Sequence, residues 1–208
     1  MKFCKNIKVV AFDCDGVMFD TTKANSAYYN QILNHFDFPD MTCEQFSYAQ
    51  MHTVDETMMM LIDDKKILEK VTVYRKSLSY IPFIKYMEIE PHLKYLLVKL
   101  MSKYKTAIAT NRTDTMDNVL AEHDILQYFD LVVCASDVKH SKPHPDSLNK
   151  ILDYFNIKPI NMIYIGDSKL DEIAATKANV FFIAFNNKSL SAKFHVKSLK
   201  EIELILEM

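Results

Sequence analysis

Glycine is nearly missing from this chain. Its 208 residues include only Gly16 and Gly166, where ordinary usage would supply roughly 14. That scarcity excludes collagen-like repeats, glycine-rich P-loops and dinucleotide-binding fingerprints. It also marks two positions where a side chain would not fit. Closely spaced cysteines are absent as well: Cys4, Cys14, Cys43 and Cys134 form no C-x-x-C pair and suggest no disulfide framework. No excess of either charge exists, since 25 basic residues face 27 acidic ones for a net charge of -2. Without a basic stripe, nucleic acid is not an expected partner. The longest apolar run, 180–185, is far too short to span a bilayer, and residues 1–10 show no secretory signal. The expectation is a soluble protein of the reducing cytoplasm with no membrane partner.

What is present is a balanced globular composition, 49% hydrophobic and 25% charged. Short apolar segments at 7–12, 105–110, 131–135, 162–165 and 180–185 read as buried strands. Between them, 90–104, 113–125, 145–155 and 168–178 carry helical periodicity, with Thr113 and Ser168 as expected N-caps, and 198–206 reads as a closing helix. Strands alternating with helices predict an α/β fold with a Rossmann-like, doubly wound parallel sheet. The alternation breaks at 21–88, where 21–36, 42–50, 53–62 and 65–78 all read as helices. We expect an α/β core domain from 1–19 and 89–208, and a small all-helical domain at 20–88. Met58, Met59 and Met60 are expected to fill the interior of that helical unit.

In an open parallel sheet, ligands bind beyond the carboxyl ends of the strands. Four predicted strands end in reactive groups: Asp13 and Asp15; Thr110, Asn111 and Arg112; the segment Lys142-Pro143-His144; and Asp167, with Asp171 four residues on. A D-x-D pair alone serves equally as a turn or helix cap, and a lone lysine is usually solvated. Together, though, Asp13, Asp15, Asp167 and Asp171 would repel one another without a cation. All-oxygen ligands favour a hard ion such as Mg²⁺. Lys142 and the Thr110 hydroxyl add donors for an anion, which makes the set suited to phosphoryl transfer.

The segments DCDGV, TN, KPHPDSL and GDSKLDEIAA, in that order, resemble the haloacid dehalogenase-like hydrolase superfamily, and most nearly its phosphoglycolate phosphatase-like and phosphomutase-like branch. The resemblance runs from the first strand to the last helix. It implies that the 20–88 insertion is a helical cap of the C1 type. It implies Asp13 as nucleophile and Asp15 as general acid and then base. Thr110, with the backbone N–H of Asn111, would hold the phosphoryl group, and Lys142 would offset charge. Asp167, the Asp13 carboxylate and the Asp15 backbone carbonyl would hold Mg²⁺, with Asp171 either a direct ligand or an orienting one. Asp15 argues against a dehalogenase, whose halide leaving group needs no proton.

Some positions depart from the family pattern. Asn25 stands where many relatives carry histidine, and Asn179 stands where phosphoglycolate phosphatases carry glycine. The stretch Met51-His52-Thr53-Val54 lacks the glycine and arginine of the sugar phosphomutase cap loop. His52 and Thr53 are the candidate substrate contacts in that loop, while Lys85 and Arg75 read as exposed charges. The expected activity is a Mg²⁺-dependent phosphatase acting on a small phosphorylated metabolite, as a monomer. A sugar phosphomutase, or a ligand-binding protein without turnover, is the alternative.

Overall fold

The computed structural model describes residues 6–49 and 54–208. Its contacts divide the chain into two compact units, one made of residues up to Asp20 together with Glu88–Met208, the other Thr21–Met87.

The first unit is built on a six-stranded sheet. Its strands are β1 (Val9–Phe12), β4 (Lys105–Ala109), β5 (Leu131–Val133), β6 (Met162–Gly166), β7 (Phe181–Phe185) and β8 (Phe194–Val196). They lie in the order β5-β4-β1-β6-β7-β8, every neighbour parallel. β1 is central, with Phe12 level with Ile108 of β4 on one side and Ile165 of β6 on the other. The chain first winds outward through β4 and β5, then returns to start β6 on the opposite side, so the order reverses at β1. That reversal opens a crevice at the strands' carboxyl ends. All four residues of β1 are buried, as a strand covered on both faces requires. Helices α5 (Leu93–Leu100), α6 (Met116–Glu122), α7 (Asp146–Tyr154), α8 (Lys169–Ala178) and α9 (Lys200–Ile205) complete the unit. α5 buries Leu93, Leu96, Leu97 and Leu100, a 3, 4, 7 spacing that lines one face. The two-residue strands β2 (Phe19–Asp20) and β3 (Glu88–Ile89) pair antiparallel. Neither they nor β8 carries an apolar run long enough to stand out in sequence.

The second unit holds α1 (Thr22–His35), α2 (Cys43–Ala49), α3 (Val54–Leu61) and α4 (Lys65–Ser77). Tyr29, Ile32, Leu33, Ala49, Met58, Ile62 and Val71 form its core. Asp64 caps α4, its Oδ1 accepting from the backbone N–H groups of Lys66 at 2.8 Å and Ile67 at 3.3 Å. Asn25 makes local bonds within this unit. Its Oδ1 accepts the Tyr80 hydroxyl at 2.6 Å, and its Nδ2 donates to Thr21 Oγ1 at 3.1 Å. Arg75 pairs with Asp55 at 2.5 Å.

Two local expectations fail. Thr113 is not the cap of α6; Thr115 holds that place, and its hydroxyl accepts from Arg112 Nη1 at 3.1 Å in place of any capping bond. Met58 is buried but Met59 is 62% and Met60 37% exposed. Successive helical residues point about 100° apart, so three in a row cannot share one face. Ser168 does cap α8, exchanging bonds with Asp171 in a capping box. Asn179 ends α8 at φ 56, ψ 30, the left-handed conformation that asparagine tolerates in glycine's place. No described helix is long and apolar enough to cross a membrane.

Candidate active site

The carboxyl ends of β1, β4 and β6 bring the predicted groups together. Asp13 follows β1, Thr110 follows β4, and Asp167 follows β6 directly. Asp13, Asp167 and Asp171 each offer a carboxylate oxygen, and these oxygens lie within 4.8 Å of one another. Both glycines serve this cluster. Gly16 sits at φ +79, and a Cβ there would meet Asp167 Oδ2 at 2.1 Å. A Cβ on Gly166 would meet the Asp171 Cβ at 2.4 Å. Any side chain at either position would displace a carboxylate.

Lys142 stands at the centre. Considered alone it would be solvated, but it is only 5% exposed. Its Nζ lies 2.7 Å from Asp13 Oδ1 and 2.7 Å from Asp171 Oδ1. It also donates toward the Tyr164 hydroxyl at 2.9 Å and the Ala109 carbonyl at 3.1 Å. Asn111 fixes the backbone that carries it. Asn111 Oδ1 accepts the Lys142 N–H at 2.9 Å, and Nδ2 donates to the Lys142 carbonyl at 3.0 Å. Burial works to lower the Lys142 pKa, but the two carboxylates outweigh it and hold the ammonium charged well above the ordinary lysine range.

The carboxylates that share this lysine are not equivalent. Burial raises Asp171 too, but Lys142, Ser168 and Tyr164 more than offset it and hold its pKa below the usual range. Its Oδ1 takes Lys142 and the Tyr164 hydroxyl, both at 2.7 Å. Its Oδ2 takes the Ser168 hydroxyl at 2.5 Å and the Ser168 N–H at 3.1 Å. Four donors therefore occupy the lone pairs of Asp171. Asp13 has far fewer donors, and burial pushes it up to about 8 against the pull of Lys142. Burial, reinforced by the Asp171 charge, pushes Asp167 up to about 7. Fully ionised, Asp13, Asp167 and Asp171 would leave two negative charges beyond what Lys142 balances. A cluster of oxygen donors with that excess suits a hard divalent cation.

Asp15 lies apart from this knot. Its carboxylate is gripped by Arg112, with Nη2 to Oδ1 at 2.7 Å and Nε to Oδ2 at 2.9 Å. The Asp15 side chain is 41% exposed and that of Arg112 only 10%. The Thr110 hydroxyl oxygen accepts the Arg112 N–H at 3.2 Å, which leaves its proton for another acceptor. His52 and Thr53 lie outside the described residues.

Sequence reasoning missed one participant and the partner of another. Tyr164 is a lone polar ring in the strand MIYIG, and only its hydroxyl position betrays its part. Arg112 stands among the groups expected at the end of the second strand, but its pairing with Asp15 is not visible in the sequence.

The sequence profile of the family described as haloacid dehalogenase-like hydrolase matches residues 10–185. A pyrophosphatase PpaX of Bacillus mycoides is 29% identical over 181 residues, which cover 86% of this chain and 83% of that protein. A crystal structure of a HAD-superfamily hydrolase, subfamily IA, variant 1, from Geobacter sulfurreducens superposes with a TM-score of 0.90 at 31% identity, covering 97% of each chain. A predicted phosphoglycolate phosphatase from Haemophilus somnus superposes at 0.81 with 17% identity, covering 97% of this chain and 98% of that one, a likeness of fold.

Proposed function

This chain belongs to the haloacid dehalogenase-like hydrolase family, and from that premise we propose that it is a Mg²⁺-dependent phosphatase working through an aspartyl phosphate. The observation that carries the reading is the buried Lys142 ammonium holding the Asp13 carboxylate at 2.7 Å, with Asp167 and Asp171 beside it.

Asp13 attacks phosphorus through one carboxylate oxygen, and the bond to the leaving oxygen breaks. Asp15 gives its proton to that oxygen, so the product leaves as a neutral hydroxyl group. Water then attacks the aspartyl phosphate and loses its proton to Asp15. The Asp13–phosphate bond breaks and inorganic phosphate departs. Lys142 stays protonated throughout, orienting Asp13 and spreading the charge that gathers on the phosphoryl oxygens. The Thr110 hydroxyl and the Asn111 backbone N–H are the donors for those oxygens. Asp13, Asp167 and the Asp15 backbone carbonyl would hold Mg²⁺, which when bound polarises the phosphoryl group and offsets the carboxylate cluster. Asp171, its lone pairs already occupied, positions Lys142.

The substrate class is a small phosphorylated metabolite, with Thr21–Met87 acting as the cap that selects it and His52 and Thr53 among its contacts. The cytoplasm is the expected compartment. The decisive assay is phosphate release from para-nitrophenyl phosphate, pyrophosphate and a panel of small phosphate esters, with Mg²⁺ and with EDTA. Metal-dependent release supports the reading. No release from any of them, with Mg²⁺ shown to bind, would sink it.

A further inference from the structure

Arg112 has no part in the chemistry just described, yet it makes the best-formed ion pair at the mouth of the site. We propose that Arg112 is an anion subsite for the leaving group, so that the enzyme acts on phosphate compounds whose leaving group carries a carboxylate or is itself a phosphate. This rests on the phosphatase reading, and specifically on Asp15 as the group that protonates the leaving oxygen.

A leaving group that takes its proton from Asp15 must come to rest against the Asp15 carboxylate. That carboxylate is in bidentate contact with the Arg112 guanidinium, at 2.7, 2.9 and 3.1 Å. A substituent one or two bonds beyond the leaving oxygen therefore lies within reach of Arg112. The guanidinium is permanently charged, and its planar fork matches a carboxylate or a phosphate. The protein holds the arginine rather than the aspartate. Arg112 Nη1 donates to Thr115 Oγ1 at 3.1 Å. The Arg112 N–H donates to Thr110 Oγ1 and its carbonyl accepts from the Ala135 N–H at 2.8 Å. The arginine side chain is 10% exposed against 41% for Asp15, so the fork is fixed and Asp15 is the exchangeable partner on the solvent side. An arriving carboxylate or phosphate satisfies the same fork, whereas a neutral alcohol offers it nothing. The same residue thus serves a phosphorylated hydroxy acid and a diphosphate alike.

The experiment measures kcat/KM with saturating Mg²⁺ for 2-phosphoglycolate and pyrophosphate, against ethyl phosphate and glycerol 3-phosphate. It uses the full chain, Arg112→Lys and Arg112→Met, with thermal midpoints recorded for each. The natural chain should prefer the compounds with anionic leaving groups by on the order of 10- to 100-fold, the range of a charge-assisted bidentate pair. Arg112→Met should erase that preference, and Arg112→Lys should keep part of it, since charge survives and the fork does not. If Arg112→Met does not fold, the Arg112→Lys ratio decides. An equal fall on all four compounds, as expected of a residue that only positions Asp15, overturns the subsite while leaving the phosphatase intact. So does a natural chain without preference. Failure of the natural chain to hydrolyse any of the four overturns the phosphatase reading, and the subsite with it.

Discussion

The two compact units bury very different things. Among the described residues of Thr21–Met87, the buried polar residue is Thr57, and the rest of the interior is apolar. The sheet unit buries Asp13, Lys142, Asp171 and Glu172. The helical unit is thus held by periodicity and local caps, each helix able to form largely on its own terms once its apolar stripe is covered. The sheet unit surrounds a charged knot whose members, from the end of β1, the segment before α7, and α8, pair with one another through Lys142. Burying such groups is costly, and the cost is met by mutual pairing. A protein keeps that arrangement where chemistry needs it, and the rest of the fold can be ordinary.

Substitutions can test how sharp this contrast is. The largest effect is expected from Asp13→Asn, which should lower kcat by on the order of 10³-fold or more while circular dichroism and thermal midpoint stay near those of the natural chain. Substantial remaining turnover would place the nucleophile elsewhere. Lys142→Met leaves Asp13 and Asp171 without their shared cation. Urea unfolding should show a loss of about 3–5 kcal/mol, and a loss below about 1 kcal/mol would mean the knot does not depend on it. Gly166→Ala forces a Cβ toward Asp171, which it would meet at 2.4 Å. The expected cost is about 2 kcal/mol, with weaker Mg²⁺ binding by calorimetry.

In the helical unit the comparable change is mild. Asp64→Ala removes the cap of α4 and should cost about 1 kcal/mol in thermal unfolding, leaving Mg²⁺ binding untouched. The smallest effect tests a paired carboxylate away from the site. Burial tends to raise Asp130, but Lys105 at 2.6 Å and the Thr106 N–H at 2.9 Å hold its pKa below the ordinary value. A depressed carboxylate contributes stability above its unfolded pKa of about 3.9 and loses it as pH falls through the lower folded value. Asp130→Asn should therefore cost about 0.5 kcal/mol at pH 7, and the difference should vanish once the pH falls below the depressed folded pKa of Asp130. A difference that persisted in acid would assign the effect to the amide's shape instead of its charge.

The helices of the second unit were legible because they are written in local order. The expected spans 21–36, 42–50 and 65–78 bracket α1 (Thr22–His35), α2 (Cys43–Ala49) and α4 (Lys65–Ser77). The long apolar strands were legible for the same reason. β2, β3 and β8 were not, because they lie in no apolar run such as the one that marks the equally short β5, and their extended form comes from the neighbour they pair with. Thr113 was a fair choice of cap by residue type, but the competing arginine that occupies the real one, Thr115, is visible only in three dimensions.

At the site, sequence alone determined the cast. The scarcity of glycine pointed to Gly16 and Gly166, and the ends of the apolar strands, together with the segment after the third, singled out Asp13, Thr110, Lys142 and Asp167 as candidates, because alternating strands and helices are a local pattern. Tertiary structure decided the relations among them. It set which carboxylate Lys142 binds, gave Asp171 its four donors, recruited Tyr164, and paired Arg112 with Asp15 across 97 positions of chain. Such relations depend on distances between residues far apart in sequence, and burial then converts those distances into charge states that no single residue carries by itself.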